Sequence, residues 1–423
     1  MILKIVNRLG TVGAALLLAP LVAAKDSGAL LDLLIRKGIL TNQEAENVRA
    51  DLLRDSQTVP ADVIAGGKST DRLSVGMRMQ LQYAHLDSDV RGAAFEPVAV
   101  NHAFLRRMYL TLKAGVGGNW GATMTYDLAS GGYDDAILEW KPTADLSFNF
   151  GLRKVNVCYE ERATSGNLKS IERSGITRYF VEANNGRRLG AGSYRIGAFL
   201  DGKKTLNAQH HLVYGAAVTN PERNESFTLS SGAGDGSNNN PSFWGNVGVA
   251  GKLAPNAGSW IAGIGAGYLP DQGGMGTANL GRGFDLAVYS FYTDITAGRF
   301  GFMGEFLRAD IERGASATRD ASPAGFYLQP SFLLTERVEA VVRYQQLDTD
   351  GRGLQLADVV RSSAATPTMN KFSGWYAGAN LYLRGNDLKY QLGLLYGKSE
   401  ETVNGAPAEA KVVGVRSQMQ IQF

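Results

Sequence analysis

The sequence predicts an all-β chain, a transmembrane antiparallel β-barrel of 16 strands behind a short N-terminal periplasmic helical segment. Three observations carry that reading. The first 24 residues have the layout of an export signal. Period-two alternation of apolar and polar side chains recurs from Arg72 onward. The last such stretch, Lys411 to Phe423, ends on an aromatic residue in an apolar-facing position. In a membrane barrel the greasy face of each strand meets lipid and the polar face lines a lumen.

The leader comes first. Lys4 and Arg8 form its basic region, Thr11 to Leu21 its apolar region, and Val22-Ala23-Ala24 its small-residue cleavage site. Pro20 and the short run argue against a membrane anchor there. No later stretch approaches the roughly 18 uninterrupted apolar residues of a spanning helix, so a membrane role falls to strands. Residues 25–55 read as two helices. Leu30, Leu31, Leu33, Leu34 and Ile35 precede Lys37-Gly38, and Thr41-Asn42-Gln43-Glu44 is a capping box for the second helix. The pair is too small to bury its leucines alone, so it is expected to oligomerise, to tether the chain to an envelope partner, or to pack as a local hairpin under the barrel. Residues 56–70, with Pro60 and Gly66-Gly67, read as a linker, and residues 71–423 as the barrel.

Composition agrees. A mean hydropathy of −0.13 suits strands of which only alternate residues see lipid. Of the 43 basic side chains Lys4 and Arg8 fall in the leader, so the remainder nearly balances the 40 acidic ones. That balance gives no argument for a nucleic-acid partner and leaves selectivity to local clusters. Cys158 is the only cysteine, so no intramolecular disulfide framework is expected despite export. Adjacent His210-His211 on a strand point to opposite faces and make a poor chelate; no metal or other cofactor is expected.

The strands begin with Arg72 to Tyr83, where Leu73, Val75, Met77, Met79, Leu81 and Tyr83 share one face and Arg78 sits on the other. Dyads follow at Phe104–Lys113, Trp120–Asp127, Tyr133–Trp140, Leu146–Arg153 and Arg188–Leu200. His211–Val218, Phe243–Leu253, Trp260–Tyr268, Gly283–Thr293 and Arg299–Arg308 come next. Gly325–Leu334, Val338–Leu347, Ser373–Leu383, Leu388–Tyr396 and Val412–Phe423 complete the set. Short turns alternate with long loops when Arg188–Leu200 is one bulged strand and Asp201–His210 its turn. That even count puts both ends on one rim and leaves room for a water channel. Trp120, Trp140, Trp244, Trp260 and Trp375 lie at or near strand ends, as aromatic girdles do. By alternation Arg78, Arg107, Arg153 and Arg416 point inward, whereas Arg106 has lipid-facing parity unless a bulge turns it or it snorkels.

One long loop stands out, Lys154 to Arg187, with Lys154, Arg162, Lys169, Arg173 and Arg178 against Glu160, Glu161 and Glu172. Folded inward it would narrow the pore and focus its field; folded outward it would cap the barrel.

The run Gly76-Met77-Arg78-Met79-Gln80-Leu81-Gln82-Tyr83, the run Phe104-Leu105-Arg106-Arg107-Met108-Tyr109-Leu110, Tyr133-Asp134-Asp135-Ala136 and Ala163-Thr164-Ser165 with Glu172-Arg173 carry a resemblance. They resemble the phosphate-selective porin O and P family of Gram-negative outer membranes, over Arg72 to Phe423. The resemblance implies a sixteen-stranded outer-membrane porin, usually a homotrimer, seated in lipid, in which arginines lead anions to a lysine-rich constriction. It further implies that the assembly machinery recognises the final Phe423. Carried over, Arg78, Arg106 and Arg107 match pore arginines, Asp134 a constriction acid, and Arg162 falls at or beside a constriction lysine. Two departures matter. The usual turn into the loop is replaced by Lys154-Val155-Asn156-Val157-Cys158, and the loop expected after Arg308 offers Glu312-Arg313 and Arg319-Asp320 where lysines are expected. Lacking those ammonium groups, a desolvated phosphate would go uncompensated, so weak anion selectivity is the expectation. A general or sugar-type porin, with Tyr109 and Tyr327 as scattered aromatic candidates, and a structural envelope protein are the alternatives. No arrangement of residues suggests an enzyme.

Overall fold

The computed structural model describes residues 64–65, 72–93, 99–221, 240–254, 258–272, 284–361, 366–403 and 406–423. The expected leader, helical pair and most of the linker lie outside these residues. Within that linker, Ile64–Ala65 pairs antiparallel with Leu73 and Arg72, so this part of the stretch is strand.

Sixteen strands form the wall. The first five are β1 (Arg72–Arg91), β2 (Ala99–Val116), β3 (Trp120–Asp127), β4 (Gly132–Thr143) and β5 (Leu146–Lys154). Then come β6 (Tyr194–Thr205), β7 (His210–Thr219), β8 (Ser242–Ala254), β9 (Gly258–Leu269), β10 (Leu286–Ala297) and β11 (Phe300–Ser316). The last are β12 (Ala324–Leu333), β13 (Val338–Asp348), β14 (Lys371–Arg384), β15 (Leu388–Val403) and β16 (Ala406–Gln422). Each pairs antiparallel with the next, and β16 returns to β1 from Gln422↔Arg78 to Glu409↔Arg91. The wall is thereby closed, which removes any unpaired edge from lipid.

All sixteen expected strands are present, with changes at their ends. Strand β6 starts at Tyr194, not Arg188, and continues to Thr205. The misread piece looks strand-like because Leu189 and Ala191 alternate, yet both are buried inside the barrel rather than facing lipid. Beyond Arg308 the chain does not leave the sheet as a loop. Strand β11 runs on to Ser316 and folds back through Arg319–Ala321. Trp244 departs from the expected girdle. It lies on the inner face, 4 % exposed, donating to Thr219 Oγ1 at 2.9 Å. Trp120 and Trp375 are exposed, and Trp120, Trp140 and Phe148 stack on the outside of β3–β5. The β2–β3 turn needs Gly117-Gly118, both at positive φ (41° and 60°).

Strand β1 has 20 residues, about twice the 9–11 that cross a bilayer. Its outer end carries His85, Asp87 and Asp89 outward, above the apolar belt. Inside that raised part an apolar core forms. Leu86, Leu307, Ile311 and Leu347 from the wall meet Ile176, Tyr179 and Phe180 of the third long loop and Leu356 and Val359 of the seventh.

Candidate functional site

The third long loop, L3 (residues 155–193), folds inward. It contains α1 (Tyr159–Arg162), a 3-10 turn at Ser165–Asn167 and α2 (Gly175–Val181). Short helices of this kind are not stable alone; side chains of the wall hold them. Glu305 of β11 accepts from the backbone N–H groups of Tyr159 (2.7 Å) and Glu160 (3.1 Å) and from Ser290 Oγ (2.6 Å). It thus satisfies free donors at the start of α1. Glu160, fully buried, accepts from Ser174 N–H (2.9 Å) and Thr177 Oγ1 (2.6 Å) at the start of α2, with Arg343 Nη1 3.5 Å away. Tyr159 stacks on Tyr292 and donates to Asp294 (3.0 Å).

Across the lumen, a ladder of amide side chains grips the backbone of L3. Gln80 donates to the carbonyl of Ser165 (3.2 Å), Gln420 to Gly166 (3.0 Å), and Gln391 and Asn380 to Lys169 (3.1 and 2.9 Å). The fit is close. A Cβ on Gly166 would come 2.3 Å from Gln422 Oε1 and 2.8 Å from Arg78 Nε. A second loop, L7 (residues 349–370), adds α3 (Leu356–Val359). Arg187 binds Asp358 (2.6 Å) and Arg361 binds Glu182 (2.6 Å), tying L7 to L3.

The structure sorts the sequence-derived candidates into two groups. Six cations are paired. Arg106 makes a bidentate contact with Glu172 (2.6 and 3.2 Å). It reaches inward because Gln80 pairs with Arg107 and Leu81 with Leu105, leaving Arg106 as the extra residue of a bulge. Arg153 is joined to Asp201 and lies over Phe199, and Lys154, the last residue of β5 rather than of the loop, meets Glu161 (3.3 Å). Lys169 pairs with Glu339 (2.7 Å), and Arg173 with Glu161 (2.9 Å) and three L3 carbonyls. Arg178, on α2, is bound to Glu182.

The other group has no carboxylate within ion-pair distance among the described residues. Arg78 donates to Gln422 (2.9 Å) and Ser165 (3.1 Å), Arg107 to Gln80 (2.8 Å), and Arg416 to Gln82 (3.4 Å). In register, Arg78 stands opposite Gln422, Arg107 opposite Gln80, and Arg416 opposite Ala84. At roughly 3.3 Å per residue the three span about 20 Å of one wall. Arg162 on α1 has a buried Nη1 with no hydrogen-bond acceptor.

Alternation also marks residues the sequence reading passed over. Lys389 shares the inward face of β15 with Gln391; it is fully buried, donating to the Leu168 carbonyl (2.9 Å) and Asn386 (3.1 Å). Arg343 has the same parity on β13. Arg361 sits in a loop, where no periodicity points to it. Tyr327 is fully buried beneath L3 with its hydroxyl on Glu305, and offers no aromatic surface to a solute.

Acids stand beside this basic wall. In β4, Thr125 pairs with Asp135 and Tyr126 with Tyr133, so Asp134 is the extra residue of a second bulge. Asp134 lies within electrostatic range of Arg78 and Lys154 and hydrogen-bonds Tyr109, whose ring sits under Arg78 (5.6 Å). One bulge therefore turns a pair of arginines into the lumen and the other a pair of carboxylates. A cavity of about 520 Å³ lies farther along, with Lys203, His211, Lys252, Tyr159 and Asp294 in its lining.

A family sequence model described as phosphate-selective porin O and P matches residues 73–423, which is most of the chain. The chain belongs to the phosphate-selective porin O and P family. This porin is thus an outer-membrane channel for small solutes in Gram-negative bacteria. Among solved structures it is similar to an anion-selective porin from Comamonas acidovorans, at 12% identity and a TM-score of 0.53, covering 82% of this chain and 99% of that one. The outer-membrane channel DcaP of Acinetobacter baumannii is also similar, at 13% identity and a TM-score of 0.51, covering 85% and 100%. At these identities the likeness is one of fold. No curated protein matches the chain at a meaningful level.

Proposed function

We propose that this porin is a passive diffusion channel with a weak preference for small anions. Arg78, Arg107, Arg416 and Arg162 carry the reading, because among the described residues none of them has a carboxylate within ion-pair distance. Each replaces part of the hydration of a passing anion while Asp134 and Asp135 beside them limit how tightly it is held, as conduction requires. Arg106, Arg153, Lys154, Lys169 and Arg173 shape the passage through their ion pairs and add little free charge. Tight phosphate specificity is not part of the proposal, since the stretch after Arg308 has no lysine and is occupied by a hairpin. The reading includes a homotrimer in lipid, assembly through Phe423, and transport without catalysis.

Single-channel recording in planar bilayers under a KCl gradient tests it. A chloride-favouring reversal potential is expected, and Arg78→Ala with Arg107→Ala lowers that preference. Cation preference in the wild type sinks the anion reading, and absence of conductance favours a structural role. Block of chloride current by millimolar phosphate would contradict the weak-selectivity part.

A further inference from the structure

Between L3, L7 and the wall lies a small cavity whose lining contains five arginines and three carboxylates. Glu172 occupies its centre of positive charge. Its carboxylate takes two hydrogen bonds from Arg106, a third from Gln82 Nε2 (3.0 Å), and lies 3.4 Å from Arg361 Nε. Arg107 faces the same space, with no carboxylate within ion-pair distance among the described residues. Arg178, 5 % exposed, has a buried Nη1 without any acceptor. The site is therefore overcharged even with its own acids in place.

We propose that Glu172 is a tethered occupant of a carboxylate-binding site, and that its competition sets how strongly this porin holds permeating carboxylates. The remaining space, about 20 Å³, is near the size of one water, so a second anion cannot sit beside Glu172 and must replace it. The seat made by Arg106 and Arg361 suits a planar, two-oxygen group. A tetrahedral phosphate would have two further oxygens to place in the same volume. Entry is from the side of Arg361, whose side chain is 35 % exposed. Glu172 itself lies in the irregular stretch between the 3-10 turn and α2, where a side chain swings without unwinding a helix. Burial pushes its carboxyl up, but Arg106, Arg361 and Arg107 hold it well below the usual carboxylate range, so it stays an anion and a competitor. A tethered group acts at high effective concentration, which keeps free carboxylates weakly bound and able to leave.

This inference rests on the anion reading above, and its test is separable from it. Wild type, Glu172→Gln and Glu172→Asp are compared in planar bilayers, with acetate titrated into the chloride solution. The half-blocking acetate concentration is expected to fall by about tenfold or more in Glu172→Gln, as when a competitor is removed. It stays near the wild-type value in Glu172→Asp. Equal acetate block in wild type and Glu172→Gln overturns the proposal, as does a rise in conductance with unchanged block, which would make Glu172 a strut. Stronger block by phosphate than by acetate overturns the carboxylate assignment. Where Glu172→Gln fails to fold, Arg361→Gln is used, and the acetate-to-chloride permeability ratio from bi-ionic reversal potentials is expected to change. An unchanged ratio overturns the proposal. The sign of the wild-type reversal potential bears on the anion reading alone.

Discussion

Arg162 and Lys169 are both L3 cations, seven residues apart in the sequence, yet they are predicted to behave differently. Lys169 is compensated by Glu339 at 2.7 Å, whereas Arg162 has no carboxylate partner among the described residues. Arg162→Ala should lower the chloride-to-potassium permeability ratio by about twofold or more, the field of one uncompensated charge in a confined path. Lys169→Ala should leave the ratio near wild type while unsettling L3. A second prediction concerns Glu305, which satisfies two backbone donors of L3. Glu305→Ala strands them and should destabilise the seated loop by about 2–4 kcal/mol. Cys158, fully buried with Sγ 3.4 Å from Glu305, reports the effect, and its maleimide labelling in the folded porin should rise from near zero. Labelling that stays at the wild-type rate would remove Glu305 as the anchor. At this scale the sequence was partly legible. Alternation assigns Arg78, Arg107 and Arg416 to the lumen, and would have assigned Lys389 had it been followed along β15. It misassigns Arg106, because an extra residue in one strand leaves no trace in a pattern of side-chain types.

The elements show a different limit. Every strand announces itself by its two faces, but L3 reads as an ordinary charged loop. Its buried residues, Val155, Val157, Ile171 and Ile176, follow neither a period of two nor of 3.6. Leu189 and Ala191 even imitate a strand. What decides the loop's position is a set of contacts with Gln80, Glu305, Asn380 and Gln420, far away in the sequence. The tie between L3 and L7 yields a pH prediction. Glu182 is raised by burial but lowered more by Arg178, Arg361 and Arg188, and titrates at about 2. A carboxyl depressed in the folded state contributes stability above its unfolded pKa of about 4.5, and that contribution fades as pH falls toward 2. Current fluctuations from loop motion should therefore stay constant from pH 7 to about 5 and grow below pH 4. Glu182→Gln should show the acid-type fluctuations at neutral pH. Fluctuations that rise around pH 6 would point to another group.

For the whole molecule, the even strand count was the most legible feature, since closure and lipid contact are properties of all strands at once. Phe423 pairs with Met77 through both backbone bonds (3.1 and 3.0 Å), so the last residue is part of the seam. Removing Phe423 should reduce the yield of folded, heat-modifiable barrel in outer membranes more than it lowers the thermal stability of barrels that do form. An undiminished yield would separate this residue from assembly.

The amide ladder has a consequence for how the channel comes into being. Gln80 and Gln420 belong to strands at opposite ends of the chain, and both clasp the same turn of L3. The two clasps act together on that turn only after the first and last strands have met, and contacts so distant in sequence carry a high closure cost. L3 is therefore expected to lock across the join only once the cylinder has closed. Deletion of the ladder should prolong the leaky interval before locking, visible as a transient large conductance during refolding into vesicles. A leaky interval of unchanged length would separate the ladder from the locking of L3.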